Sequence, residues 1–241
     1  MRTDFDVLII GGGMVGASLA CALRESALRI GRSQHPASRD TCASLRIGVI
    51  EAVPLAASSQ PSYDDRTIAL AYGSRRIFES IGLWADVAPE ANPIERIHIS
   101  DRGHFGFTRL SAADAGLPAL GYVVANRALG AALLRQIEAA KNIDWLCPAE
   151  MQDIQFAPEA ATVTVRHGDT NKTFTARLVV AADGAHSAVR QHAGIEAART
   201  EYRQSAIVTN VTASLPHGNT AYERFTDTGP LAILPLPENK C

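Results

Sequence analysis

Hydrophobic and polar positions in this chain follow two periods, and the first apolar run is the clearest. Residues 5–10 form a run of strand length, too short for a helix and stopped by glycines. Residues 17–23 continue as small and aliphatic side chains, which predicts a helix packed tightly on a sheet. Residues 46–51 predict a second short strand that ends on Glu51. Ile77, Ile81 and Trp84 fall at i, i+4 and i+7, the spacing of a buried helical stripe, with Ser74 as its cap. Leu129, Leu133 and Ile137 step by four and predict a helix over 126–140, with Arg127 in its first turn.

Strand-like patterning fills most of the remainder. Residues 94–100, 105–110 and 120–125 predict three strands of a small antiparallel unit, with Asp101-Arg-Gly-His104 turning between the first two. Residues 151–156, 162–166 and 174–182 predict a three-stranded meander. In it Val163 and Val165 alternate with threonine, and His167-Gly168-Asp169 supplies the hairpin turn. The clearest late strands are 207–211 and 231–236, the last with neither a following helix nor an evident partner. Residues 26–45 read as a polar surface excursion and 54–61 as a linker rich in alanine and serine.

Chemistry enters at the first strand–helix junction. Gly11, Gly13 and Gly16 have the G-x-G-x-x-G spacing. The first glycine permits a tight turn, the second lets backbone approach a pyrophosphate, and the third allows close helix–strand contact. A helix N-terminus there offers unpaired N–H groups to phosphates. The alternative is a merely structural glycine turn. Glu51, at the end of the second strand, is placed to accept hydrogen bonds from adenosine ribose hydroxyls, or is simply a solvated strand end. The usual gap from the glycines is about 20 residues; an inserted loop over 31–45 accounts for the excess. An acid at this place disfavours a 2′-phosphate, so the site suits FAD or NAD rather than NADP. A meander that returns to a buried strand fits a glutathione-reductase-type FAD-binding fold better than a plain dehydrogenase.

Composition narrows the picture only modestly. A chain of 241 residues can bury a large core in one or two domains, and a net charge of −2 gives no electrostatic argument for nucleic acid. No apolar stretch approaches the roughly 18 residues needed to span a bilayer, and residues 1–10 lack a signal-peptide pattern. Cys21, Cys42, Cys147 and Cys241 are widely spaced with no C-x-x-C pair, which fits reduced thiols in a cytoplasmic protein and no metal site.

The most specific short stretch is Asp183-Gly-Ala-His-Ser-Ala-Val-Arg190, directly after a buried strand. Its glycine allows close backbone approach, Asp183 can accept from ribityl or ribose hydroxyls, and Arg190 can pair with a phosphate. The alternative is a turn with a capping aspartate. With these residues the sequence resembles the group A flavoprotein aromatic monooxygenases, whose type member is p-hydroxybenzoate hydroxylase. Within that family it is most similar to the ubiquinone-biosynthesis hydroxylases, on the 2-polyprenyl-6-methoxyphenol hydroxylase branch. Tyr63-Asp-Asp-Arg-Thr-Ile-Ala-Leu70, Ile81-Gly-Leu-Trp84, Ser100-Asp-Arg-Gly-His104, Tyr222-Glu-Arg-Phe225 and Gly229-Pro-Leu-Ala-Ile-Leu-Pro235 carry the narrower likeness.

The resemblance implies an α/β chain. Its FAD-binding Rossmann-like domain would span 1–91 and 126–196, interleaved with antiparallel substrate-domain strands over 92–125 and 197–241. It implies FAD held by Gly11, Gly13 and Gly16 at the pyrophosphate and by Glu51 at the adenosine ribose. Arg66 would lie near the flavin, Arg127 would make a polar FAD contact, and Asp183 and Gly184 would touch FAD. Arg190 and its turn would help receive NADPH as a transient reductant. It further implies hydroxylation of a polyprenylated phenol with molecular oxygen, in a cytoplasmic protein placed peripherally at the inner face of the membrane. Other ubiquinone-biosynthesis proteins are implied as partners. The alternatives are a hydroxylase or oxidase of another small aromatic or amine, or a non-catalytic assembly partner. No catalytic acid or base is named by the sequence: His98, His104 and His186 read as surface or turn histidines. The family also has a later Gly-Asp motif that contacts the flavin ribityl chain, and this chain has no counterpart, since Gly168-Asp169 sits in a hairpin turn. The expectation is therefore a C-terminally truncated piece that holds FAD weakly and is inactive alone.

Overall fold

The computed structural model describes residues 3–31, 45–54 and 64–241, and all but the end residues of the loop expected over 31–45 and the first residue of the linker expected over 54–61 lie outside the described residues. The chain opens with β1 (Phe5–Ile10), α1 (Met14–Gly31) and β2 (Ile47–Ile50). Next come β3 (Thr67–Ala71), α2 (Tyr72–Ser80), α3 (Trp84–Val87), β4 (Asn92–Ile94) and β5 (Arg96–Asp101). Then follow β6 (Phe107–Ser111), β7 (Gly121–Ala125), α4 (Asn126–Glu138), β8 (Ile143–Leu146) and β9 (Glu150–Phe156). The last elements are β10 (Ala161–His167), β11 (Thr170–Ala181), α5 (Ala188–His192), β12 (Thr220–Phe225) and β13 (Leu231–Ile233). Contacts cluster into two units, Met1–Tyr63 with Gly130–Gln204, and Asp64–Leu129 with Ser205–Cys241.

The first unit holds a six-stranded sheet in the order β8-β2-β1-β11-β10-β9. Strands β8, β2, β1 and β11 pair in parallel, whereas β10 pairs antiparallel with both β11 and β9. The expected meander is therefore present, and its long last strand does double duty. Residues near Thr170 close the hairpin, and Ala176 to Ala181 lie beside β1. One face buries Leu8, Ile10, Ile50, Val163, Val165 and their neighbours in a single apolar cluster. On the opposite face Ile9, Val49, Ala17, Ala20, Leu133 and Ile137 are buried, as the four-residue stepping predicts. Helix α1 runs to Gly31, beyond the break expected at residue 26: the polar residues there are compatible with helix, and no proline interrupts it before Pro36.

The second unit holds a four-stranded sheet, β13-β12-β5-β6, and a three-stranded sheet, β3-β7-β4. Several sequence expectations change here. β5 and β6 do form an antiparallel hairpin, but β7 joins β3 and β4 instead of extending it. Ser74 does not cap α2: β3 runs directly into that helix, Ala71 stands at the cap, and the Tyr72 N–H goes to Leu120 O. Ile77 is 60% exposed, α2 stops at Ser80, and Gly82, at φ 76°, turns the chain after it. Of the expected stripe Ile81 is buried and Trp84 half-buried, and burial falls also on Leu83 and Val87. Residues 207–211 form no strand; Ile207 is exposed, and Val211 exchanges two main-chain bonds with Cys241. The late strand does have a partner, since β13 pairs antiparallel with β12. Among the described residues no helix is long and apolar enough to cross a membrane.

Candidate functional site

The carboxyl ends of β1, β2 and β11 lie side by side, and this is where a doubly wound sheet offers a crevice. A cleft of about 380 Å³ opens there, lined among others by Gly11, Gly13, Glu51, Val53, Met151 and Asp183. The two sequence motifs, more than 160 residues apart in the chain, therefore meet at one place.

Each wall has a local cause. Gly11 sits at φ 103°, and a Cβ on it would lie 2.3 Å from Ala182 O, so the turn brings β1 against the end of β11. A Cβ on Gly16 would lie 1.9 Å from Gly11 O, so α1 can approach the turn this closely only with glycine there. The Ala17 N–H reaches Gly13 O at 2.9 Å and begins the ladder of α1. The first turn of α1 has no acidic residue, which leaves its N–H groups and positive dipole end available to an anion.

Glu51 is buried at 7% exposure, and its two oxygens are engaged by the main chain. Oε2 accepts the Gly12 N–H at 2.7 Å and Oε1 accepts the Val53 N–H at 2.8 Å. Each carboxylate oxygen keeps a further lone pair, so the group can still accept from a hydroxyl in the cleft. It is not the solvated strand end of the alternative reading.

Asp183 supplies the opposite wall. Its Oδ2 accepts the Val189 N–H at 3.2 Å, while Ser187 Oγ accepts the Arg190 N–H at 3.0 Å and caps α5. Capping thus engages one oxygen of Asp183. The other, Oδ1, is buried without a hydrogen-bond partner among the described residues. An orphaned acceptor beside a cleft asks for a donor. Gly184 adopts φ 79°, which turns the chain away after Asp183. The Arg190 guanidinium donates to Ala185 O at 3.1 Å, within its own turn.

Arg66 and Arg127 belong to the second unit. Arg66 pairs with Asp64, and Arg127 donates to Asp65 at 3.0 Å and Glu90 at 2.9 Å, all of them exposed side chains. Of the histidines, His186 lines the cleft at its exposed rim, and His104 pairs with Asp101. His98 accepts from Arg109 and stacks on Phe107.

The sequence reading missed the part that β9 contributes: Ala149 and Met151 line the cleft, and the Ala149 N–H bonds Glu51 O at 2.8 Å. Nothing in an apolar alternation marks a strand as lining a cleft.

These residues fit FAD on the structure's own terms. There are main-chain donors at a glycine turn for a pyrophosphate, a buried carboxylate with spare acceptor capacity for a ribose, and an unpaired buried acceptor opposite. The comparisons agree. A family model described as an FAD binding domain matches residues 4–238. Ubiquinone hydroxylase UbiL of Rhodospirillum rubrum is 36% identical over 235 residues, covering 98% of this chain and 50% of the relative. The 3-demethoxyubiquinol 3-hydroxylase of Escherichia coli is 31% identical over 237 residues, 97% of this chain and 55% of the relative. This chain thus spans about half the length of the curated relatives it matches. Among solved structures, PqsL of Pseudomonas aeruginosa with 2-aminobenzoylacetate superimposes with a TM-score of 0.73 at 21% identity, over 98% of this chain and 59% of that one. HpxO of Klebsiella pneumoniae complexed with FAD gives 0.65 at 16%, over 97% and 55%. At those identities the likeness is one of fold.

Proposed function

Since this chain belongs to the FAD binding domain family, we propose that it is the cofactor-holding part of an FAD-dependent hydroxylase acting on the aromatic ring of a polyprenylated phenol. Molecular oxygen would be the co-substrate and NADPH the reductant. The observation that carries the cofactor half is the buried Asp183 Oδ1, without a partner among the described residues, on a side chain that lines one cleft with Glu51. The substrate half rests on relatives named as ubiquinone hydroxylases.

When bound, FAD supplies two-electron redox chemistry and activation of oxygen. The residues of this chain bind and orient it. The glycine turn of Gly11, Gly13 and Gly16, with the N-terminus of α1, receives the pyrophosphate, and Glu51 accepts from the adenosine ribose. Asp183 and Gly184 meet the dinucleotide, Arg190 and its turn help receive NADPH, and Arg66 and Arg127 are further flavin contacts. A polyprenylated substrate partitions into lipid, so the protein works peripherally at a membrane surface, among other proteins of ubiquinone biosynthesis.

Titration with FAD, followed by flavin emission, tests the cofactor half. Saturable binding that weakens in Glu51→Ala and in Asp183→Ala is expected, and absence of binding overturns it. For the substrate half, the intact enzyme is given NADPH, oxygen and either a prenylated methoxyphenol or polar phenols. Preference for polar phenols would discard the proposed substrate class.

A further inference from the structure

We propose that Trp145, on the edge strand β8, is a positioning residue of the dinucleotide turn, walling the side-chain side of Gly12 so that the Gly12 N–H stays on the Glu51 carboxylate. This rests on the FAD reading above and names a residue outside both sequence motifs.

A Cβ on Gly12 would lie 2.4 Å from Trp145 Cη2, 3.0 Å from Cζ3 and 2.8 Å from Glu51 Cβ. The far edge of the indole therefore occupies the space a side chain at position 12 would need, and only glycine fits. Gly12 itself is the freest kind of residue, with no Cβ to limit its φ and ψ. Its N–H nevertheless sits 2.7 Å from Glu51 Oε2 in a buried bond.

β8 fixes both partners of that bond. Trp145 pairs with Val49 in register, and the next residue, Leu146, accepts the Glu51 N–H at 2.9 Å. The strand thus pins the backbone of Glu51 through Leu146 and confines Gly12 through the indole. Gly11, the preceding residue, is tied to Ile50 O at 2.8 Å. Neither Trp145 nor Gly12 lines the cleft, so the indole acts on a bound dinucleotide only through the turn. A turn held in its binding shape before the ligand arrives loses less entropy on binding.

The experiment is FAD titration of the wild type, Trp145→Leu, Trp145→Phe, Gly12→Ala and the double variant Gly12→Ala/Trp145→Leu, with melting temperatures measured without FAD. Ile143→Ala, which removes a buried side chain from the same strand without touching the turn, is the control for stability. Trp145→Leu is expected to weaken FAD binding by about tenfold and Trp145→Phe by less, on the scale of ordering one flexible segment. Ile143→Ala, at a comparable drop in melting temperature, is expected to bind as the wild type does. Gly12→Ala should bind far more weakly than either and recover in part, by at least about twofold, in the Trp145→Leu background, where the indole edge is gone and the Glu51 Cβ contact stays.

A wild type that does not bind FAD overturns the cofactor reading, and the role of Trp145 with it. A wild type that binds, with Trp145→Leu binding equally well or Ile143→Ala losing as much, overturns the role of Trp145 alone. So does a Gly12→Ala defect that removal of the indole leaves unchanged.

Discussion

The Glu51 carboxylate accepts the Gly12 N–H at 2.7 Å across 39 positions of sequence. With its other oxygen on the Val53 N–H, one side chain joins the turn after β1 to the turn after β2. Glu51→Gln replaces one acceptor oxygen with a donor, so one of the two N–H groups faces another N–H. The expected cost is about 1–3 kcal/mol of folding stability, together with weaker FAD binding. Urea unfolding without cofactor measures the first and flavin titration the second; a variant as stable as the wild type would remove Glu51 from the scaffold of the site.

One oxygen of Asp183 accepts the Val189 N–H, and the other has no hydrogen-bond partner among the described residues. Asp183→Asn can keep the acceptor on the Val189 N–H and put its amide where Oδ1 now lacks a partner. Stability is therefore expected to change little, within about 0.5 kcal/mol, while FAD affinity falls. Asp183→Ala should lose both. The comparison to make is between melting temperatures and dissociation constants across the pair.

Burial pushes the Cys21 thiol up to about 11 from 9.0, with Arg24 opposing the shift. The side chain is 1% exposed and its sulfur lies 3.8 Å from Leu133 O. The folded value is the raised one, so this contribution to stability is complete below pH 9.0 and is lost as pH rises through about 11. Unfolding free energy is expected to fall across that window and to flatten in Cys21→Ala. Alkylation at neutral pH, mapped by mass spectrometry, should spare Cys21 until the protein unfolds.

Arg127 separates two roles by magnitude. Its pairs with Asp65 and Glu90 are exposed at both ends, where such pairs contribute at most about 1 kcal/mol. Arg127→Ala should therefore leave the melting temperature nearly unchanged. If the guanidinium serves the cofactor, FAD affinity drops by more than this small loss accounts for; equal affinity would confine Arg127 to its ion pairs.

The two ends of the site were legible for local reasons. G-x-G-x-x-G at residues 11–16 and D-G-x-x-S-x-x-R at 183–190 are backbone requirements written as glycine, with polar residues at fixed offsets. The short apolar runs beside them can only be buried strands, and the alternation at Val163 and Val165 marks one face of a meander. Helix phase was less legible. The stripe held at Ile81 and not at Ile77, and the glycine at position 82 ended the helix before Trp84.

Sequence by itself determined what is encoded within about ten consecutive residues: the glycine turn, the strand ends and the capped turn after Asp183. Tertiary structure alone decided which of those pieces face one another. It placed the start of β9 at the cleft, gave β7 to a second sheet, left Asp183 Oδ1 without a partner among the described residues and set the Trp145 indole against Gly12. The physical reason is that strand order and side-chain proximity are set by burying apolar faces from distant parts of the chain. Periodicity shows that such a face exists and says nothing of what covers it.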